Sequence, residues 1–152
     1  MKKRALITGL TGQDGSFLAE FLLERGYEVF GLVRRETWFR PNNASHLADR
    51  VQVLFGNMSE GVDISSALQD AQPDEIYNLA SQSRPGESWA RAPETLTING
   101  MGTLRLFEAV RHGCPKARQK LGWEPTISFE QMVGRMADAQ LARLESQVGS
   151  GK

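Results

Sequence analysis

Three glycines stand three residues apart in Gly9-Leu-Thr-Gly12-Gln-Asp-Gly15, after the apolar run Ala5 to Thr8 and before a helical pattern from Ser16 to Arg25. A strand that ends in such a turn and restarts as a helix leaves backbone N–H groups and the positive helix end facing one point. A pyrophosphate fits there. The first glycine permits the tight turn, the second lets a diphosphate approach the backbone, and the third brings helix against strand. Three glycines alone could equally form an ordinary loop; the flanking strand and helix favour the phosphate cradle.

The chain beyond keeps the same rhythm. Phe17, Leu18, Phe21 and Leu22 recur at helical spacing, with Gly26 closing the segment. Glu28 to Val33, Val51 to Phe55 and Glu75 to Ala80 read as further strands. Val62 to Ala71 and Asn99 to Arg111 read as helices, the second with Met101, Leu104, Leu106, Phe107, Ala109 and Val110 as a broad apolar surface. Alternation of this kind predicts an α/β fold: a Rossmann-like parallel sheet, the first half of a doubly wound one, with its site at the carboxyl ends of the strands. After Cys114 the alternation stops. A packed turn is expected at Leu121 to Pro125, then a terminal helix from Phe129 with Ser128 and Gln131 as its capping box. The expected division is 1–114 as the cofactor-binding half and 115–152 as a helical piece of another domain. Strand four would then be an uncovered edge, or one hidden by that helix.

At the tip of strand two, where an acidic residue would accept hydrogen bonds from a ribose 2′-hydroxyl, the chain carries Arg34 and Arg35. Two guanidinium groups favour a 2′-phosphate, so NADP is expected over NAD; the bland alternative is a solvated arginine pair partly offset by Glu36. Trp38 and Phe39 are expected to cover a core edge rather than stack on adenine.

Eighteen basic and eighteen acidic residues balance, with no long block of either sign, which argues against nucleic acid or an anionic membrane as partner. No stretch is long and apolar enough to span a bilayer, no secretory signal opens the chain, and one cysteine allows no internal disulfide; a reducing, cytoplasmic setting is expected. His46 and His112 lack metal-ligand spacing and read as surface residues, so no metal is expected. Ser81 and Ser83 sit in no nucleophile elbow.

Thr8-Gly-Leu-Thr-Gly-Gln-Asp-Gly-Ser16, Gly31-Leu-Val-Arg-Arg35, Pro73-Asp-Glu-Ile-Tyr-Asn-Leu-Ala-Ser-Gln-Ser83 and Gly102-Thr-Leu-Arg-Leu-Phe-Glu-Ala-Val110 together resemble the GDP-mannose 4,6-dehydratases of the extended short-chain dehydrogenase/reductase superfamily. Lys116 to Pro125 with Ser128-Phe-Glu is similar to that family's C-terminal end. The resemblance implies cofactor contacts at Gly9, Gly12, Gln13, Asp14, Arg35 and the segment Leu79, Ala80, Ser81 and Ser83; the glycine turn adds Gly15, the strand-two tip Arg34, and the adenine side Asn57 and Met58. It also implies a GDP-mannose-type sugar nucleotide as substrate, and leaves a homo-oligomer open. Asn57-Met58 departs from the Asp-Leu or Asp-Met pair expected near the adenine, and its amide can hydrogen-bond without carrying charge.

The family's reaction oxidises the hexose at C4 with NADP, eliminates water across C5 and C6, and returns the hydride to C6. A tyrosine activated by a lysine four residues later serves it. The tyrosines here, Tyr27 and Tyr77, are followed four residues later by Gly31 and Ser81, so no catalytic residue is assigned. The resemblance places the missing strands and catalytic segment near Cys114 to Lys116, as though the family's middle were absent. Three readings follow: an NADP-dependent lyase acting on GDP-mannose, a non-catalytic NADP-binding remnant, and a related sugar-nucleotide reductase or epimerase.

Overall fold

Ala5, Leu6, Ile7 and Thr8 are all essentially sealed from solvent, which requires that both faces of their strand be covered. In the computed structural model, which describes residues 2–113, they form β1 (Arg4–Thr8), flanked by β2 (Glu28–Val33) and β4 (Glu75–Asn78), with β3 (Gln52–Phe55) beyond β2. The order is β3-β2-β1-β4 and every pairing is parallel, with Ile7 opposite Gly31 on one side and Tyr77 on the other. The chain therefore builds outward through β2 and β3, then crosses back over β1. Strand order reverses beside β1, where a doubly wound sheet opens its ligand crevice.

Side chains alternate across the sheet and separate into two cores. Ala5, Ile7, Val29 and Val33 pack with Ala19 and Leu22 of α1 (Gln13–Glu24). Leu6, Phe30 and Leu32 pack with Ile64 and Leu68 of α3 (Gly61–Ala71) and Leu106 of α6 (Gly102–Gly113). Each large aliphatic or aromatic residue so buried contributes roughly 1.5–3 kcal/mol.

Helix α1 corrects one expectation. Phe17 and Phe21, read as part of its buried stripe, are 59% and 47% exposed, whereas Gly15, Ser16, Ala19 and Leu22 are buried. The cause lies at Gly15, where a Cβ would run into the Gly9 carbonyl oxygen and the Leu10 backbone. An approach this close admits small residues on the inner face and turns large ones outward. Arg25 covers Phe21 there, its guanidinium carbon 3.3 Å from the ring centroid.

The expected helix from Asn99 is also resolved differently. A π-helical turn (Thr97–Met101) precedes α6, and two short helices, α4 (Pro85–Ala90) and α5 (Ala92–Leu96), come before it. Of the apolar surface expected on this segment, Leu106 is buried while Phe107 is 65% exposed. A further short helix, α2 (Arg35–Trp38), follows β2. Trp38 packs on the first core as expected, but Phe39 lies largely exposed and stacks on Phe55, with ring centroids 5.7 Å apart. The expected terminal helix and its capping box fall outside the described residues.

A charged cluster closes the end of the sheet where the strands begin. Glu75 accepts hydrogen bonds from Lys3 Nζ at 3.0 Å, Tyr27 Oη at 3.1 Å and Tyr77 Oη at 2.9 Å. Bonding to Lys3, then to Tyr77, holds the Glu75 carboxyl below the usual carboxylate range, and the same carboxylate pushes the Tyr77 phenol up. Both tyrosines are thus bound at the end of the sheet opposite its crevice.

Candidate cofactor cleft

The cleft lies at the carboxyl ends of the strands and has a volume of about 680 Å³, within the range of ligand pockets. Its floor is the glycine turn. Gly9 has φ +74°, a left-handed conformation, and a Cβ there would lie 2.8 Å from the Ala80 backbone nitrogen. A side chain is excluded on both counts. Gly12 caps α1 with extended backbone and no side-chain cap, so the first-turn N–H groups of Gln13, Asp14 and Gly15 have no intrahelical acceptor and face the turn.

One wall is the end of β4. The Thr8 hydroxyl donates to Asn78 Oδ1 at 2.6 Å and accepts from the Ala80 N–H at 3.1 Å. Asn78 Nδ2 donates to Thr103 Oγ1 at 3.1 Å, bringing α6 against the strand. Asn99, inside the π-helical turn, accepts from the Gln82 N–H at 2.8 Å and donates to the Gln82 carbonyl at 3.3 Å. It pairs with that backbone as a strand neighbour would. A π turn offsets the helical register by a residue, and such turns gather at functional sites.

The other wall is formed by β2, β3 and the loops after them. Asn57 Oδ1 accepts from the Ser59 N–H at 3.1 Å, while Asn57 Nδ2 has no partner among the described residues and can meet a ligand. Met58 is buried beneath it.

Four arginines and two glutamates line the cleft: Arg34, Arg40, Arg84, Arg91, Glu87 and Glu94. Arg84 pairs with Glu87 at 3.0 Å and Arg91 with Glu94 at 2.6 Å. The bond to Arg84 keeps the Glu87 carboxyl below its ordinary range. Those pairs cancel; Arg34 shares its charge with Glu36, 3.9 Å away and outside the lining, and Arg40 leaves the cleft positive. A closely approachable backbone, free helix-end amides and surplus guanidinium groups together suit an extended phosphate-bearing ligand.

Of the residues singled out from sequence, Gly9, Gly12, Arg34, Asn57, Met58, Leu79, Ala80, Ser81 and Ser83 line this cleft. Gln13 and Asp14 begin α1, and Gly15 is buried under the turn. Arg35 does not line it; its guanidinium carbon lies 4.2 Å from the Phe55 ring centroid. Sequence reasoning missed Thr11, Thr37, Arg40 and Glu87, which reach the cleft from loops and short helices without an apolar period. Arg40 was the findable one, as a third cation near the tip of β2. His46 and His112 are exposed and pair with Glu20 and Glu108. No helix among the described residues is long and apolar enough to cross a membrane.

A parallel sheet of this order, with a glycine turn between β1 and α1, defines a Rossmann-like α/β protein of the short-chain dehydrogenase/reductase type. Solved structures agree: a putative epimerase from Burkholderia cenocepacia superposes with a TM-score of 0.59 at 30% identity, over 72% of this chain and 33% of that one. The UDP-glucose 4-epimerase of Thermus thermophilus, solved with NAD, gives 0.59 at 27% identity, over 71% of this chain and 33% of its own. The sequence profile of the family described as GDP-mannose 4,6 dehydratase matches residues 6–115. The GDP-mannose 4,6-dehydratase of Vibrio cholerae is 42% identical over 138 residues, 86% of this chain and 35% of its own. That of Homo sapiens is 43% identical over 115 residues, 70% of this chain and 31% of its own. The chain belongs to the GDP-mannose 4,6-dehydratase family. It spans about a third of the length of these relatives.

Proposed function

We propose that residues 1–114 form the NADP-holding half of a GDP-mannose 4,6-dehydratase, and that 115–152 belong to its sugar-nucleotide domain. The cleft carries this reading: its cradle excludes side chains where a pyrophosphate would press, and its uncancelled charge is positive. In this role the turn Gly9 to Gly15 holds the diphosphate, Asn57 and Met58 border the adenine, and Leu79 to Ser83 border the nicotinamide. The bound cofactor supplies the hydride acceptor and donor for conversion of GDP-mannose to GDP-4-keto-6-deoxymannose. This chain's own residues bind and orient. Thr8 and Asn99 fix the nicotinamide-side wall, and the paired Glu87 and Glu94 spare the cofactor phosphates from repulsion.

Proton transfer is a separate matter. Tyr27 and Tyr77 are bound to Glu75 at the far end of the sheet, out of reach of a sugar in the cleft. The 152-residue chain is therefore proposed to bind NADP without turning over GDP-mannose, in a cytoplasmic setting consistent with its single cysteine. Titration calorimetry of the chain with NADP+, beside an assay for the 4-keto sugar, tests both halves of the reading. Binding without product is expected. A chain that binds neither NADP+ nor NAD+ sinks the cleft assignment, and product formation sinks the division of labour.

A further inference from the structure

We propose that the groove between α3 and α6 is a second ligand site, which takes a small oxyanion, a carboxylate or a phosphate, on the Arg105 guanidinium. The groove has a volume of about 410 Å³, within the range of ligand pockets, and shares no lining residue with the cofactor cleft. It arises from the way the two helices lie on the second core. Ile64 and Leu68 of α3 and Leu106 of α6 pack in that core. Gly61, Ser65 and Gln69, four residues apart along α3, line one side of the groove, and Arg105, Glu108 and His112 of α6 line the other. At Gly61 the nearest atom to an added Cβ would be Arg105 Cδ, at 4.0 Å, so the arginine stem lies against the opposite helix.

The charge in this groove is unbalanced. Glu108, the carboxylate in the lining, is engaged on its own helix: its Oε2 accepts from Arg111 Nη2 at 2.7 Å and lies 3.3 Å from His112 Nε2. Arg105, three residues before Glu108, shares none of it. Among the described residues its side chain has no hydrogen bond or ion pair, and its Nη1 is shut away from solvent without a partner. An N–H group in that state has lost its hydration and gained nothing in exchange, so it is stabilised by any acceptor the groove admits.

The donors present define the ligand class. A guanidinium offers paired N–H groups that match two oxygens of a carboxylate or phosphate, and turning Arg105 toward such a group breaks no existing bond. The Ser65 hydroxyl and Gln69 amide on the facing wall suit further polar groups on the same small molecule. A cation would be repelled here, and a wholly apolar ligand would bury the guanidinium unpaired.

The test is a titration of the whole, isotope-labelled chain with acetate and, separately, with inorganic phosphate at constant ionic strength, read by nuclear magnetic resonance at the backbone amides of Ser65, Gln69 and Ala109. The amides of the glycine turn report any anion in the cofactor cleft, so the two sites are read apart. At least one anion should shift the groove amides to saturation, and the tighter of the two names the oxyanion. Arg105→Gln should weaken that response by about tenfold or more and leave the glycine-turn response unchanged. Ser65→Asp sets a carboxylate in the groove while keeping Arg105, and should abolish the response, so the outcome does not depend on one variant folding. Glu108→Gln should tighten it by about threefold, because a repelling carboxylate is gone. Groove amides that respond to neither anion, or shifts that survive both Arg105→Gln and Ser65→Asp, overturn the site. Shifts confined to the glycine turn overturn it while leaving the cleft reading intact.

Discussion

Thr8 and Asn78 sit opposite each other at the carboxyl ends of β1 and β4, joined by a 2.6 Å hydrogen bond from the threonine hydroxyl. Since that hydroxyl also accepts the Ala80 N–H, one buried oxygen sets both the strand pairing and the course of the chain along the cleft. Thr8→Val keeps the shape and strands two partners, which should cost about 1–3 kcal/mol. Thr8→Ser retains the oxygen and should cost less than about 1 kcal/mol. Urea midpoints of the two variants decide the matter, and equal midpoints would show that the hydroxyl contributes nothing.

Gly9 and Gly26 both have positive φ, at 74° and 79°, but only Gly9 has backbone within reach of an added Cβ. Gly26→Ala should therefore cost about 1–2 kcal/mol of backbone strain and leave nucleotide binding unchanged. Gly9→Ala adds a collision with Leu79 and Ala80 and should lower nucleotide affinity by more than about tenfold. Paired melts and binding titrations would separate strain from shape.

Glu75 predicts an acid-sensitive term in stability. Its carboxyl is depressed in the folded chain, first by Lys3 and then by Tyr77, relative to an ordinary value of 4.5. A depressed carboxyl stabilises the fold above its unfolded-state value and loses that contribution as pH falls through the folded one. Glu75→Gln should melt below wild type at about pH 7, and the gap should close below about pH 3. A gap that persists at acid pH would assign the loss to packing instead of charge.

On α1, Leu22 is 2% exposed and Phe17 59%. Leu22→Ala should cost about 2–5 kcal/mol, whereas Phe17→Ser should cost less than about 1 kcal/mol. The comparison in a thermal melt reads directly which face of the helix is buried.

That face marks where sequence reasoning succeeds and where it stops. Strand β2 was legible to the residue, Glu28 to Val33, because a strand covered on both sides is continuously apolar. The glycine turn was legible because its neighbours, strand and helix, constrain it. Phe17 and Phe21 misled because apolar spacing records which residues share a face, and here the tight seat of Gly15 selects the small-residue face instead. The cleft was legible along the ends of the strands, at Gly9, Arg34, Asn57 and Leu79 to Ser83. Arg40 and the support Asn99 gives to that wall were not, because Arg40 reaches the cleft through a loop folded around Asn42 and Asn99 meets the Gln82 backbone from a π-helical turn; neither leaves a period in the sequence.

β4 has a single strand neighbour, β1, among the described residues, and the wall from Leu79 to Ser83 hangs from its end. An edge strand opens more readily than the strands inside it, so this wall is drawn from the least protected part of the sheet. A ligand that needs the wall closed suppresses that opening by a factor of one plus its concentration over its dissociation constant. Amide hydrogen exchange along β4 becomes a clock for occupancy: it slows as ligand is added, while exchange along β2 keeps its pace.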